Sequence, residues 1–171
     1  TKDIKVGRGI ETDEYFESSL KDHYAIGDCN GKLQLAHAAR AEVINVTQRI
    51  LGQKVPILDL STVVKFIHTL PMSVASIGQT PATTQDLSEG VVRLNAFSAS
   101  NFHDAKDGVM IVYADKDKFI DNAEILPPEA EELISPIAMA LAGEMDTALA
   151  SKTIMAHPSF SEALERTYFR I

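Results

Sequence analysis

An α+β fold is what this sequence predicts, on three observations. Short apolar runs of strand character cluster between residues 63 and 125. Helical runs cluster after residue 127, and the two do not alternate as the units of a parallel sheet would. Ahead of Pro56 lies a separate strand–loop–helix pattern, so the chain divides into 1–55 and 56–171.

Residues 9–16 form a short extended or turn segment. Residues 23–27 (HYAIG) read as a short strand stopped by Gly27-Asp28, and a Gly-bearing loop follows through Lys32. Residues 35–51 have helical spacing, with Leu35, Ala39, Val43, Val46 and Ile50 on one face and Gly52 as the stop. Beyond Pro56, strands are expected at 63–67, 74–78, 90–96, 108–114 and 119–125, with a turn or single helical turn at 70–73 and a turn at 114–117. Pro127-Pro128 is expected to open a helix running to about Ala142, in which Pro136 should cause a kink or a division. Asp146 starts another helix through Ala150, and Ser159 the last.

Composition narrows the function classes. With 171 residues there is room for one domain, or one domain and part of a second. Twenty-four acids against 16 bases give a net charge of −8 with no basic stripe, which disfavours nucleic acid as a partner. No run approaches the roughly 18 consecutive apolar residues of a membrane span, and no secretory leader is recognisable. The single cysteine, Cys29, excludes an internal disulfide and a cysteine-rich zinc site, and is read as buried and inert. A cytoplasmic setting is the expectation.

Two places carry chemistry. His157 and Glu162 sit five positions apart across Pro158, a spacing that can set a carboxylate behind a proton-transfer imidazole. The competing reading is a capping box, because Ser159-Phe160-Ser161-Glu162 is also S-x-x-E. Upstream, Gly27-Asp28 ends a strand just before a loop and a helix. An Asp there can accept hydrogen bonds from a sugar or ribityl hydroxyl, and the helix start at Leu35, Ala36 and His37 can point backbone N–H groups at an electron-rich ligand edge. A plain turn is the alternative. His23, His68 and His103 show no metal-ligand spacing, and the chain contains no G-x-G-x-x-G, Walker loop or C-x-x-C.

These residues carry a resemblance. The string YAIGDCNGKLQLAHAA, from Tyr24 to Ala39, resembles the last flavin-contacting segment of the pyridine nucleotide-disulfide oxidoreductases. FIHTLPMSVASIGQT, GVMIVYADKD, ILPPEAEELI and AHPSFSEAL resemble, in the same order, the strands, helix and active-site end of that family's interface domain. The wording LAHAA and HPSFSEAL is most similar to its dihydrolipoamide dehydrogenase branch. The resemblance covers nearly the whole chain. It implies an antiparallel sheet with helices forming the FAD/NAD-linked reductase dimerisation domain at 56–171, preceded at 1–55 by the last segment of an FAD-binding domain.

The resemblance further implies a parent flavoenzyme, a homodimer through residues 56–171, that uses FAD and NAD(P) to act on a disulfide or dithiol. Gly27 and Asp28 match the segment bonding the FAD ribityl chain. Leu35, Ala36 and His37 match the segment against the flavin pyrimidine ring. His157 matches the active-site histidine and Glu162 its partner. The nucleotide-binding motif and redox cysteine pair fall upstream of Thr1 in the family, so this stretch by itself is expected to bind no cofactor and to be inactive. Three departures stand out: Met72 where the family has Glu, Ser159 for the commoner Thr, and Ser135-Pro136 within a normally unbroken helix. Two alternatives stay open, a non-catalytic dimerisation or interaction module and a transhydrogenase-like flavoprotein without redox cysteines.

Overall fold

The computed structural model describes residues 3–70, 72–79, 86–103 and 105–171. The chain forms two compact units, Thr1–Leu60 and Ser61–Ile171.

In the second unit five strands make one antiparallel sheet: β1 (Lys65–Ile67), β2 (Val74–Ile77), β3 (Ser88–Arg93), β4 (Val109–Ala114) and β5 (Ile120–Leu126), in the order β1-β2-β5-β4-β3. Side chains alternate between the two faces, as a two-residue repeat requires. Every second residue of β4 is fully buried: Met110, Val112 and Ala114. The register carries this across the sheet, placing Ala75 beside Ile125, Ile125 beside Met110 and Met110 beside Val92. The neighbouring buried row runs from Ile77 through Ala123 and Val112 to Gly90.

Two helices cover that face. The first, α3 (Ala130–Ala142), packs over β5 and β2 and buries Ala130, Ile134 and Ile137 at helical spacing. The second, α5 (Ser161–Tyr168), packs over β3 and β4 with Ala163, Leu164, Thr167 and Tyr168 inward. Its approach is close enough that Gly90 faces the Thr167 carbonyl with no room for a Cβ. The short α2 (Ala99–Phe102), which the sequence did not announce, lies between β3 and β4 along the chain, and α4 (Thr147–Ala150) lies between α3 and α5. Asp146 caps α4 by accepting the Leu149 N–H at 2.6 Å.

Several expectations are corrected. The 90–96 strand ends at Arg93 and continues as one 3-10 turn, Leu94–Ala96. Pro127-Pro128 lie before α3 rather than in its first turn, because Glu129 adopts a left-handed conformation (φ 53°) that turns the chain into the helix. Pro136 does not divide α3; it removes only the bond to the Glu132 carbonyl, while Ile134 and Ile137 on either side stay locked in the core. The last helix begins at Ser161. The turn expected at 70–73 includes Pro71, which lies outside the described residues.

In the first unit the expected strand at 23–27 is only a single bridge, Glu17 to Tyr24, since no ladder forms beside it. Gly27–Asn30 is instead a 3-10 turn. The helix α1 (Ala36–Ile50) ends as foreseen at Gly52 (φ 76°), with Gln53 N–H returning to the Gln48 carbonyl. Its buried face is not the apolar stripe expected. Ala38, Glu42, Asn45 and Val46 point inward, whereas Val43 and Ile50 are exposed. Among the described residues no helix is long and apolar enough to cross a membrane.

Candidate functional site

His157 and Glu162 come together at the start of α5. His157 Nδ1 lies 2.8 Å from Glu162 Oε1, and the His157–Pro158 peptide is cis. Against an ionised carboxylate Nδ1 must be the donor, since two acceptors would repel; this tautomer assignment leaves Nε2 as the atom that takes up or releases a proton. The other oxygen, Oε2, accepts the Ser159 N–H at 3.0 Å. The His157 hydrogen bond, reinforced by that from the Ser159 backbone, holds the Glu162 carboxyl below the usual glutamate range. Its place in the first turn of a helix acts in the same direction.

The dyad and the capping box therefore coexist in part. Ser159 completes only the Glu162 half of a box, because its hydroxyl donates back to the Ala156 carbonyl at 2.5 Å. His157 itself is exposed and opens onto a groove of about 550 Å³ between the end of β3, the 95–98 loop and α5. Arg93, Arg166 and Arg170 line the same groove. None of the three was singled out from the sequence; the available signal was the spacing of Glu162, Arg166 and Arg170 at one-turn intervals.

The second cluster lies in the first unit. Gly27 sits against the start of α1, where a Cβ would come within 3.1 Å of the Ala39 Cβ. Asp28 is exposed on the same turn. Leu35 precedes α1 in extended conformation and, as the N-cap residue, offers no side-chain cap to the helix start at Ala36 and His37. The sequence reading missed Glu42. Its Oε2 accepts the Gly27 N–H at 2.6 Å and the Asn30 side-chain amide at 2.9 Å, tying the loop to α1. An acid within a helix next to the glycine loop was the only signal.

An exposed carboxylate on a glycine-led turn and a helix start whose N-cap residue is the apolar Leu35 suit the hydroxyls and electron-rich ring edge of a flavin nucleotide. The Gly27 N–H is already engaged by Glu42 and adds nothing to such a site. Cys29 is exposed, contrary to expectation, because its turn points outward, and its thiol donates to the Ile26 carbonyl at 3.1 Å. Among the described residues no three His, Cys, Asp or Glu side chains are grouped to hold a metal ion.

A one-layer antiparallel sheet backed by helices, with a hydrogen-bonded histidine–carboxylate pair at its rim, defines an α+β domain. Residues 63–168 match the family described as pyridine nucleotide-disulphide oxidoreductase, dimerisation domain, and the chain belongs to it. It is similar to the dihydrolipoyl dehydrogenase of Chlamydia muridarum, 34% identical over 160 residues that make up 90% of this chain and 34% of that protein. It is also similar to that of Bacillus subtilis, 31% identical over 163 residues, 92% of this chain and 35% of the relative. The chain thus spans about a third of the length of the curated relatives it matches. Among solved structures, LpdA of Mycobacterium tuberculosis superposes with a TM-score of 0.91 at 24% identity, over 98% of this chain and 38% of that one. The HOCl-induced flavoprotein disulfide reductase RclA of Escherichia coli superposes at 0.87 with 20% identity, over 97% and 40%. At those identities the likeness shows the fold.

Proposed function

We propose that this chain is the interface portion of a dihydrolipoamide dehydrogenase-like flavoprotein disulfide oxidoreductase, with His157 and Glu162 as its proton-transfer dyad. The observation that carries the reading is the 2.8 Å contact between His157 Nδ1 and Glu162 Oε1, with the imidazole open to a groove. Glu162 orients the ring, and Nε2 exchanges a proton with a substrate thiol. Residues 1–55 belong to the FAD-binding domain and residues 56–171 form the homodimer. Ile67, Phe102, Met139 and Ile154, all exposed on the second unit, support a surface that meets a second copy.

Gly27, Asp28, Leu35, Ala36 and His37 would hold FAD, Asp28 by accepting from ribityl hydroxyls and the helix start by facing the ring edge. FAD supplies two-electron chemistry between NAD(P) and a disulfide or dithiol. The test replaces His157 with Gln in the FAD-loaded protein that contains this chain. Turnover of dihydrolipoamide is expected to fall by about 10²–10⁴-fold with the dimer intact by sedimentation. Unchanged turnover would leave Glu162 as a helix cap and remove the dyad from the mechanism.

A further inference from the structure

We propose that the groove beside His157 selects a disulfide or dithiol whose non-reacting end carries a carboxylate, with Arg93, Arg166 and Arg170 as the residues that receive it. The proposal rests on the dyad reading above and names the substrate class of that site. The chain carries a net charge of −8, yet three guanidinium groups line this one groove. Among the described residues its one lining carboxylate is Glu162, whose two oxygens accept from His157 and from the Ser159 N–H. Among the described residues lining the groove, three arginines stand against that single carboxylate, so positive charge is in excess there.

Placement sets the reach. Arg166 lies one turn after Glu162 within α5, roughly 6 Å along its axis at 1.5 Å per residue, and Arg170 follows in the turn just beyond the end of the helix at Tyr168. Arg93 reaches the same groove from the end of β3. Arg170 is held in place by donating one guanidinium N–H to the Val91 carbonyl, which steadies a planar fork suited to a carboxylate. A sulfur at His157 Nε2 and an anion several bonds away can thus be bound at once. Half-buried Phe97 supplies apolar wall between them.

Lipoate and lipoamide share ring and chain and differ in the charge of the terminal group, so they are the probes. Each is titrated into the full chain at low salt, following the His157 ring and arginine Nε–H signals by NMR. Lipoate is expected to bind about tenfold more tightly than lipoamide, the size of one good charge-assisted contact, and the preference should shrink in 0.5 M salt, where the screening length is about 4 Å. Arg93→Gln combined with Arg170→Gln should abolish the preference, while the Arg→Lys pair should keep part of it. Equal affinities, no saturable lipoate binding, or a preference untouched by the Gln pair each overturn the proposal. In the FAD-loaded protein the ratio of kcat/KM for dihydrolipoate over dihydrolipoamide should collapse by the same factor in the Gln pair. Absence of turnover on both substrates removes the enzyme reading, and the binding ratio then still decides the anion site.

Discussion

Glu162 bridges two partners, His157 Nδ1 at 2.8 Å through one oxygen and the Ser159 N–H at 3.0 Å through the other. Both contacts favour the ionised carboxylate, which is why its pKa lies below the usual glutamate value. For a depressed acid, the stabilisation is full above the unfolded pKa and is lost as pH falls through the folded one. Carbon-detected NMR of the Glu162 carboxyl should therefore show an inflection below the ordinary glutamate range. His157→Ala should move it back up, because the imidazole is the largest cause. An inflection that ignores this substitution would mean that the backbone contact alone sets the shift.

Glu42 is fully buried and fastens the loop at Gly27 and Asn30 to α1. Glu42→Ala leaves the buried Gly27 N–H without its acceptor and takes from the Asn30 amide one of its two, a loss of about 1–3 kcal/mol for an unsatisfied buried donor. The effect should be local, with the Gly27 amide exchanging far faster while the amides of β4 are unaffected. Normal protection at Gly27 in the variant would show that this bond does not hold the loop.

What the sequence disclosed follows from how far apart the cooperating residues lie. The strand β4 was legible because Val109 to Ala114 alternate in their own burial. The pairing of His157 with Glu162 was legible because one turn of chain carries both. The helix α1 was placed correctly but its inward face was not, since apolar periodicity cannot see an acid buried by bonding to a backbone N–H from another segment. The 23–27 run failed for a related reason: strand propensity cannot supply a neighbouring strand. Arg93 joined the groove only through the fold, from a strand remote in sequence from α5.

Tyr168 on the inner side of α5 is buried, and burial pushes its phenol up to about 12. Between pH 10, where an unfolded tyrosine ionises, and 12, the folded protein holds a proton that the unfolded chain has released, so stability falls with rising pH across that window. Ultraviolet titration should show a late phenol that coincides with loss of tertiary structure, and Tyr168→Phe should remove that phase. A late phase that persists in the variant would assign it to Tyr113, whose phenol is also raised, by burial and by the charges of Glu124 and Glu89.

Gly90 and Gly52 separate two reasons for having glycine. At Gly90 on β3 a Cβ would run into the Thr167 carbonyl of α5, so Gly90→Ala must push the helix off the sheet. Overpacking of this kind costs about 1–3 kcal/mol, and here the obstacle is backbone, which places the expected loss at the upper end. At Gly52 nothing lies within 4 Å, and the only penalty is the left-handed φ of 76°. Gly52→Ala should cost about 1 kcal/mol and leave the groove untouched. Chemical denaturation of the two variants, with the His157 ring signal as the readout of the groove, tests the contrast. If α5 is positioned by its contact with Gly90, Gly90→Ala shifts the His157 signal and Gly52→Ala does not. Equal losses with an unmoved His157 signal would show that the α5 contact at Gly90 does not position the dyad.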